Sequence, residues 1–122
     1  MTWTTVCQVK SLLPERGAAA LVGGVQVALF RLLDGAVHAV SHTDPFSGAN
    51  VMARGIVGSR VVDGEEVPTV TSPMYKQVFN LRTGRCLSDP AVALQVFPVR
   101  VVDGHLDVGL TPVALSVAPG GT

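Results

Sequence analysis

Four dipeptides that favour positive φ punctuate the chain at Gly23-Gly24, Asp34-Gly35, Asp63-Gly64 and Asp103-Gly104. Such pairs close tight hairpins, because a glycine, or an aspartate beside one, tolerates a left-handed backbone that other residues avoid. Between them lie short runs rich in Val, Leu, Ala and Phe: "AALV", "VQVALFRLL", "AVHAVSH", "GIVGSRVV", "VPTVT", "QVFNL", "FPVRVV" and "HLDVGL". Three of these flanks, "VQVALF", "VHAVS" and "HLDVGL", alternate in the way of strands with one buried face. No run sustains a helical apolar stripe. The best helical candidates, "SLLP" and "PAVAL", are each about one turn long. The pattern predicts an all-β fold, a small antiparallel sandwich or barrel with no long helix.

With 122 residues the chain is expected to form a single domain able to bury a core without metals or disulfides. Hydrophobic residues make up 48% and charged residues 15%, a low charged share that suggests a surface covered by a partner. The nine Lys and Arg residues are scattered, which argues against nucleic-acid binding, since phosphate recognition needs clustered cations. The first residues, "MTWTTVCQVKSLLPERG", do not read as a signal peptide. No apolar run approaches the roughly 20 residues of a membrane span, so no membrane partner is expected and the location expected is cytoplasmic. There Cys7 and Cys86 are expected as free thiols rather than a disulfide. The strand rhythm ends near residue 110. Residues 111–122, "TPVALSVAPGGT", are expected to form a loosely held tail, unless "VALSV" lies along the domain as an edge segment. Residues 42–55, "HTDPFSGANVMARG", form the longest stretch without strand rhythm, a loop of the length that often carries function.

Residue chemistry offers little for catalysis. His38 and His42 are four apart, but on an extended strand that spacing covers about 13 Å, too far for two ligands of one metal ion. They read as a sheet histidine and a loop histidine. His105 follows a hairpin turn, and Cys7 and Cys86 lack the spacing of a zinc site. Ser72 has no neighbouring histidine and no nucleophile elbow. Glu65-Glu66 reads as a solvated hairpin tip, and Tyr75 is a general-acid candidate in principle only. No glycine-rich nucleotide motif is present. The chain reads as non-catalytic.

Taken in order, residues 3–110 resemble the Rieske-type ferredoxin fold. The family opens with a strand and a short "lp.g" segment, here "SLLPERG", and closes with a strand pair matched by "VFPVRVVDGHLDV". Between these, two loops at one tip grip a [2Fe–2S] cluster through C-x-H and C-P-x-H motifs. Here the first loop reads "DPF", with Asp44 at the cysteine position and Phe46 at the histidine position. The second reads "SPMYKQVFNLRTG", with Ser72 for cysteine and Tyr75 for histidine. A Rieske centre needs two thiolates and two imidazoles; these four residues supply hard oxygens, a phenol and a phenyl ring. Within that fold, "TDPFSGANVMARGIV" and "TSPMYKQVFNLRTGRCL" are similar to the loops of the small subunit of bacterial assimilatory NAD(P)H-dependent nitrite reductase.

The resemblance implies a small chain that binds no metal and no cofactor itself. Its implied partner is a large subunit carrying FAD, a [4Fe–4S] cluster and sirohaem, which passes electrons from NAD(P)H to nitrite and reduces it to ammonia. A candidate docking surface lies where the loops converge: Phe46, Arg54, Met74, Tyr75 and Lys76, aromatic and Met groups with a charged rim. The competing expectation is that Phe46 and Tyr75 fold inward and fill the volume a cluster would occupy. Two other classes of function stand beside this one. One is a Rieske-type electron-transfer ferredoxin. The other is a thiol-based regulatory module using Cys86, with Arg82 and Arg85 nearby to lower its pKa.

Overall fold

In the computed structural model, which describes residues 2–110, three of the four turn dipeptides close two-residue hairpins. Gly23-Gly24, Asp63-Gly64 and Asp103-Gly104 have φ of 55 and 82°, 52 and 80°, and 51 and 76°. Positive φ at both central residues is the signature of the type I′ turn, whose twist matches that of the strands it joins. At Asp34-Gly35 only the glycine is left-handed, and the Asp34 carboxylate instead accepts the Ala36 N–H at 2.9 Å. The tail or edge segment expected from residue 111 lies outside the described residues.

Among the described residues ten strands result: β1 (Trp3–Gln8), β2 (Gly17–Val22), β3 (Val25–Arg31), β4 (Val37–Ser41), β5 (Ile56–Val62), β6 (Glu65–Thr71), β7 (Val78–Asn80), β8 (Val96–Phe97), β9 (Val99–Val102) and β10 (His105–Gly109). They form three antiparallel sheets, ordered β1-β10-β9, β2-β3-β4-β8 and β5-β6-β7. Among the described residues the only helical elements are single 3-10 turns at Val9–Ser11 and Met52–Arg54. The first ends where "SLLP" begins, the second falls inside the expected loop, and "PAVAL" is not helical.

The four-stranded sheet is the middle layer, and here the expectation of one buried face fails for β3. Val27, Ala28, Leu29 and Phe30 are all buried. Val27 and Leu29 face the first sheet and pack with Leu12, Ala39, Phe97, Leu106 and Val108. Ala28 and Phe30 face the other way and pack with Val40, Met52, Val70, Phe79, Leu81 and Leu94. A strand buried on both sides loses its polar alternation, because each face must be apolar. Burying a ring such as Phe30 or Phe79 contributes about 2–3 kcal/mol. "FPVRVV" is likewise not one strand. Pro98 separates β8 from β9, which belong to different sheets, and it has no N–H to continue a ladder. Its carbonyl instead accepts the Gly109 N–H at 2.9 Å.

On the outer face of the first sheet, Asp107 accepts hydrogen bonds from Thr5 Oγ1 at 2.7 Å and Arg100 Nε at 2.9 Å, which hold its carboxyl below the usual range. The Arg100 guanidinium lies 4.5 Å from the centre of the Trp3 ring.

Gly84 ends the strand-and-turn segment after β7, with φ of 81°. A β-carbon there would lie 2.1 Å from the Leu94 carbonyl oxygen. Gly84→Ala therefore combines left-handed strain with a backbone clash. It is expected to lower unfolding free energy by about 2 kcal/mol or more, measured by denaturant titration; an unchanged midpoint would contradict the packing described.

Candidate functional site: two proline turns joined by a buried hydrogen bond

Residues 42–55 follow β4, and residues 72–77 join β6 to β7. Each loop starts with an oxygen-bearing residue ahead of a proline. In the first, Asp44 Oδ1 accepts the Phe46 N–H at 2.7 Å and, more weakly, the Ser47 N–H at 3.4 Å. In the second, Ser72 Oγ accepts the Met74 N–H at 3.1 Å. Both are turns in which a side chain takes the place of a backbone carbonyl, and the intervening Pro45 and Pro73 pre-set the backbone. The two turns meet. The Ser72 hydroxyl donates to Asp44 Oδ2 at 2.5 Å, and both residues have no exposed surface. That length belongs to the strong class of hydroxyl-to-carboxylate bonds. The loops expected to converge at one tip do so through this contact.

The first loop is also clamped from its base. The His42 carbonyl accepts the N–H groups of Val51 and Met52, at 3.1 and 3.0 Å, and its ring Nδ1 accepts that of Ala53 at 3.1 Å. Three successive amides thus end on one residue, the last by way of a ring nitrogen that must be unprotonated to accept. His42 is a loop histidine, as expected, and it is buried. Burial, with the Arg54 guanidinium as the smaller cause, holds its pKa below the usual imidazole value. His38 in β4 is shifted the same way, chiefly by burial.

The candidate residues separate into two groups. Phe46 turns inward, packing against the core with its ring 6.1 Å from that of Phe79. Tyr75 does not fill the interior: it is 69% exposed, beside exposed Met74 and Lys76. Tyr75 and Lys76 both have φ of 58°, a conformation that costs a non-glycine residue about 1 kcal/mol or more. Arg54 is exposed and borders a groove lined by Leu13 and Ile56. Cys7 and Cys86 are free thiols, as expected. Cys86 is fully buried, its sulfur 3.5 Å from Ser88 Oγ, so it presents no accessible thiol for regulation. Burial raises the pKa of Cys7 and lowers its reactivity.

These positions do not fit a Rieske centre. Asp44 and Ser72 are committed to each other, Phe46 has no donor atom, and Tyr75 points to solvent. The Asp44–Ser72 bond and the His42 clamp were not anticipated from the sequence. The signal for the bond lay in the paired "DP" and "SP" turns; the clamp has none.

The Rieske-like [2Fe-2S] domain family matches residues 2–109. The nitrite reductase (NADH) small subunit of Salmonella typhimurium is 39% identical over 103 residues, covering 84% of this chain and 92% of that one. The chain belongs to the Rieske-like family and, within it, to the nitrite reductase small subunits. Among solved structures, a protein from Mycobacterium tuberculosis described as an NADH-dependent nitrite reductase small subunit superposes with a TM-score of 0.83. It shares 51% identity, over 92% of this small subunit and 97% of its own chain. A third relative is a Klebsiella oxytoca nitrite reductase [NAD(P)H] large subunit. It is 37% identical over 107 residues, which is 88% of this chain and 11% of that much longer one.

Two outcomes follow for the small subunit. Ser72→Ala leaves Asp44 Oδ2 buried without its donor and is expected to cost about 1–3 kcal/mol. A double-mutant cycle with Asp44→Asn should give non-additive losses; additive ones would show the contact to be energetically idle. Because the folded-state pKa values of His42 and His38 lie below the unfolded value near 6.5, the unfolded chain takes up protons first on acidification. Stability is therefore complete above about pH 6.5 and falls as pH drops below it. Melting curves across that range should show the loss, and His42→Gln should flatten it.

Proposed function

We propose that this chain is the accessory small subunit of a cytoplasmic NAD(P)H-dependent nitrite reductase, docking on the large catalytic subunit and carrying no cluster of its own. On this reading the electron path from NAD(P)H to nitrite runs through FAD, a [4Fe–4S] cluster and sirohaem, all held by the large subunit. The observation that carries the reading is the likeness to small subunits across nearly the whole chain, joined to the chemistry of the tip. Where a Rieske ferredoxin has ligands, this chain has a hydrogen-bonded Asp–Ser pair and a phenyl ring in the core. Among the described residues no helix is long and apolar enough to cross a membrane.

The tip is the docking element best placed for this role. Met74, Tyr75 and Lys76 project from a loop whose base is fixed by the Ser72 N–H to Gln77 carbonyl bond at 2.9 Å. An aromatic residue and a methionine exposed on a loop with a fixed base suit recognition, since such residues dominate interface energies. Phe46, facing the core, supports the tip from beneath, and Arg54 contributes charge from the neighbouring loop.

Co-purification with a flavin- and sirohaem-containing large chain tests the reading, with the small subunit itself expected colourless and free of stoichiometric iron and sulfide. Met74→Ala and Tyr75→Ala together should weaken association by about tenfold or more while leaving the melting temperature unchanged. Undiminished affinity would remove the tip from the interface, and iron with sulfide at stoichiometric levels would overturn the cluster-free assignment.

A further inference from the structure

A groove of about 520 Å³ runs between residues 12–18 and the start of β5. Its exposed apolar groups are Leu13, 58% accessible, and Ile56, 73% accessible, and its rim carries Arg16 and Arg54. It lies between two sheet edges. β2 is the outer strand of the four-stranded sheet and β5 the outer strand of the β5-β6-β7 sheet, and both contribute residues to the groove lining. Free edges are normally blunted by proline, lysine, bulges or inward charges. β2 reads "GAAALV", without a charge, and β5 reads "IVGSRVV", with a single arginine and an unbroken register to β6.

We propose that this groove receives an extended segment of the nitrite reductase large subunit, apolar with acidic residues, pairing with the edge of β5 that is unpaired among the described residues. The inference rests on the assignment of this chain as the small subunit. Three observations select that occupant. An extended chain satisfies the outward N–H and C=O groups of a free edge, with pockets for alternate side chains. Neither Arg16 nor Arg54 has an ion-pair partner among the described residues, and Glu15 is the only acid lining the groove. The rim therefore calls for negative charge, whereas groove-to-groove contact with a second copy would set the same arginines against each other across a two-fold axis. The groove also continues the proposed docking tip. Ile56 pairs with Thr71, the residue before Ser72, so the groove and the loop bearing Met74, Tyr75 and Lys76 lie at the same end of the β5-β6-β7 sheet.

The test compares binding of purified small-subunit variants to the purified large subunit. Ile56→Lys and, separately, Arg16→Glu alter exposed side chains and should keep the wild-type melting temperature. Each is expected to weaken association about tenfold or more, and the charge-reversed variant should lose most of the salt dependence of the wild-type complex. A photo-crosslinker in place of Leu13 should capture an acidic, apolar segment of the large subunit. If the groove variants bind as tightly as wild type while Tyr75→Ala binds more weakly, the groove proposal falls and the small-subunit assignment stands. If wild type does not bind the large subunit at all, that assignment falls first. Capture of a second copy of this chain by the crosslinker would overturn the proposal in favour of self-association.

Discussion

The hydrogen bond from Ser72 to Asp44 is the contact through which the two tip loops become one structure. In a metal-bearing Rieske domain the equivalent loops are tied by four coordinate bonds to two irons. Here one buried 2.5 Å bond does the joining, and each partner is itself the anchor of a proline turn. Every acceptor atom in the pair is thereby used: Oδ1 by Phe46 and Ser47, Oδ2 by Ser72, and the serine oxygen by Met74. A carboxylate with no exposed surface persists only when so satisfied. The inward Phe46 ring against Phe79 supplies packing that the polar pair cannot. The tip is thus held by hydrogen bonds and an aromatic contact, and its outer residues Met74, Tyr75 and Lys76 are left exposed.

This arrangement needs a rigid floor, and the middle sheet provides it. Because β3 and β4 are buried on both faces, one core joins the middle layer to the β1-β10-β9 sheet. The other joins it to Met52, Val70, Phe79 and Leu81 beneath the loops. Met52 comes from the first loop itself, in the 3-10 turn that His42 clamps. The loop is consequently part of the core on one side, through Met52, and exposed to solvent on the other, through Arg54. Strain at Tyr75 and Lys76 is tolerable on such a support.

Much of the fold was legible because its turns are local. A Gly-Gly or Asp-Gly pair between apolar runs favours a tight hairpin locally, and three of the four pairs close one here. What escaped was what depends on distant partners. The strand β1 carries weak alternation, with a register shift between Thr5 and Cys7, and takes its place only by pairing with β10 at the other end of the chain. The two-sided burial of β3 needs a third layer that no periodicity announces. The division between β8 and β9 follows from Pro98, visible in the sequence but meaningful only once the two sheets are known. At the site, the four replaced ligand positions could be read residue by residue, whereas the bond between Asp44 and Ser72, 28 residues apart, could not. Nor could the opposite orientations of Phe46 and Tyr75, since an aromatic residue suits either a core or an interface.

The pairing of Trp3 with Gly109 has a consequence for how such a domain travels between proteins. Its first and last described strands are neighbours, so residues 3 and 109 lie side by side in the first sheet. A unit with that property can be spliced onto another polypeptide, or into one, at a single exposed junction without opening any sheet. The Klebsiella oxytoca large subunit holds a counterpart of this domain as about a tenth of its own length. A stretch similar to this fold thus occurs both in separate small subunits and within a longer chain.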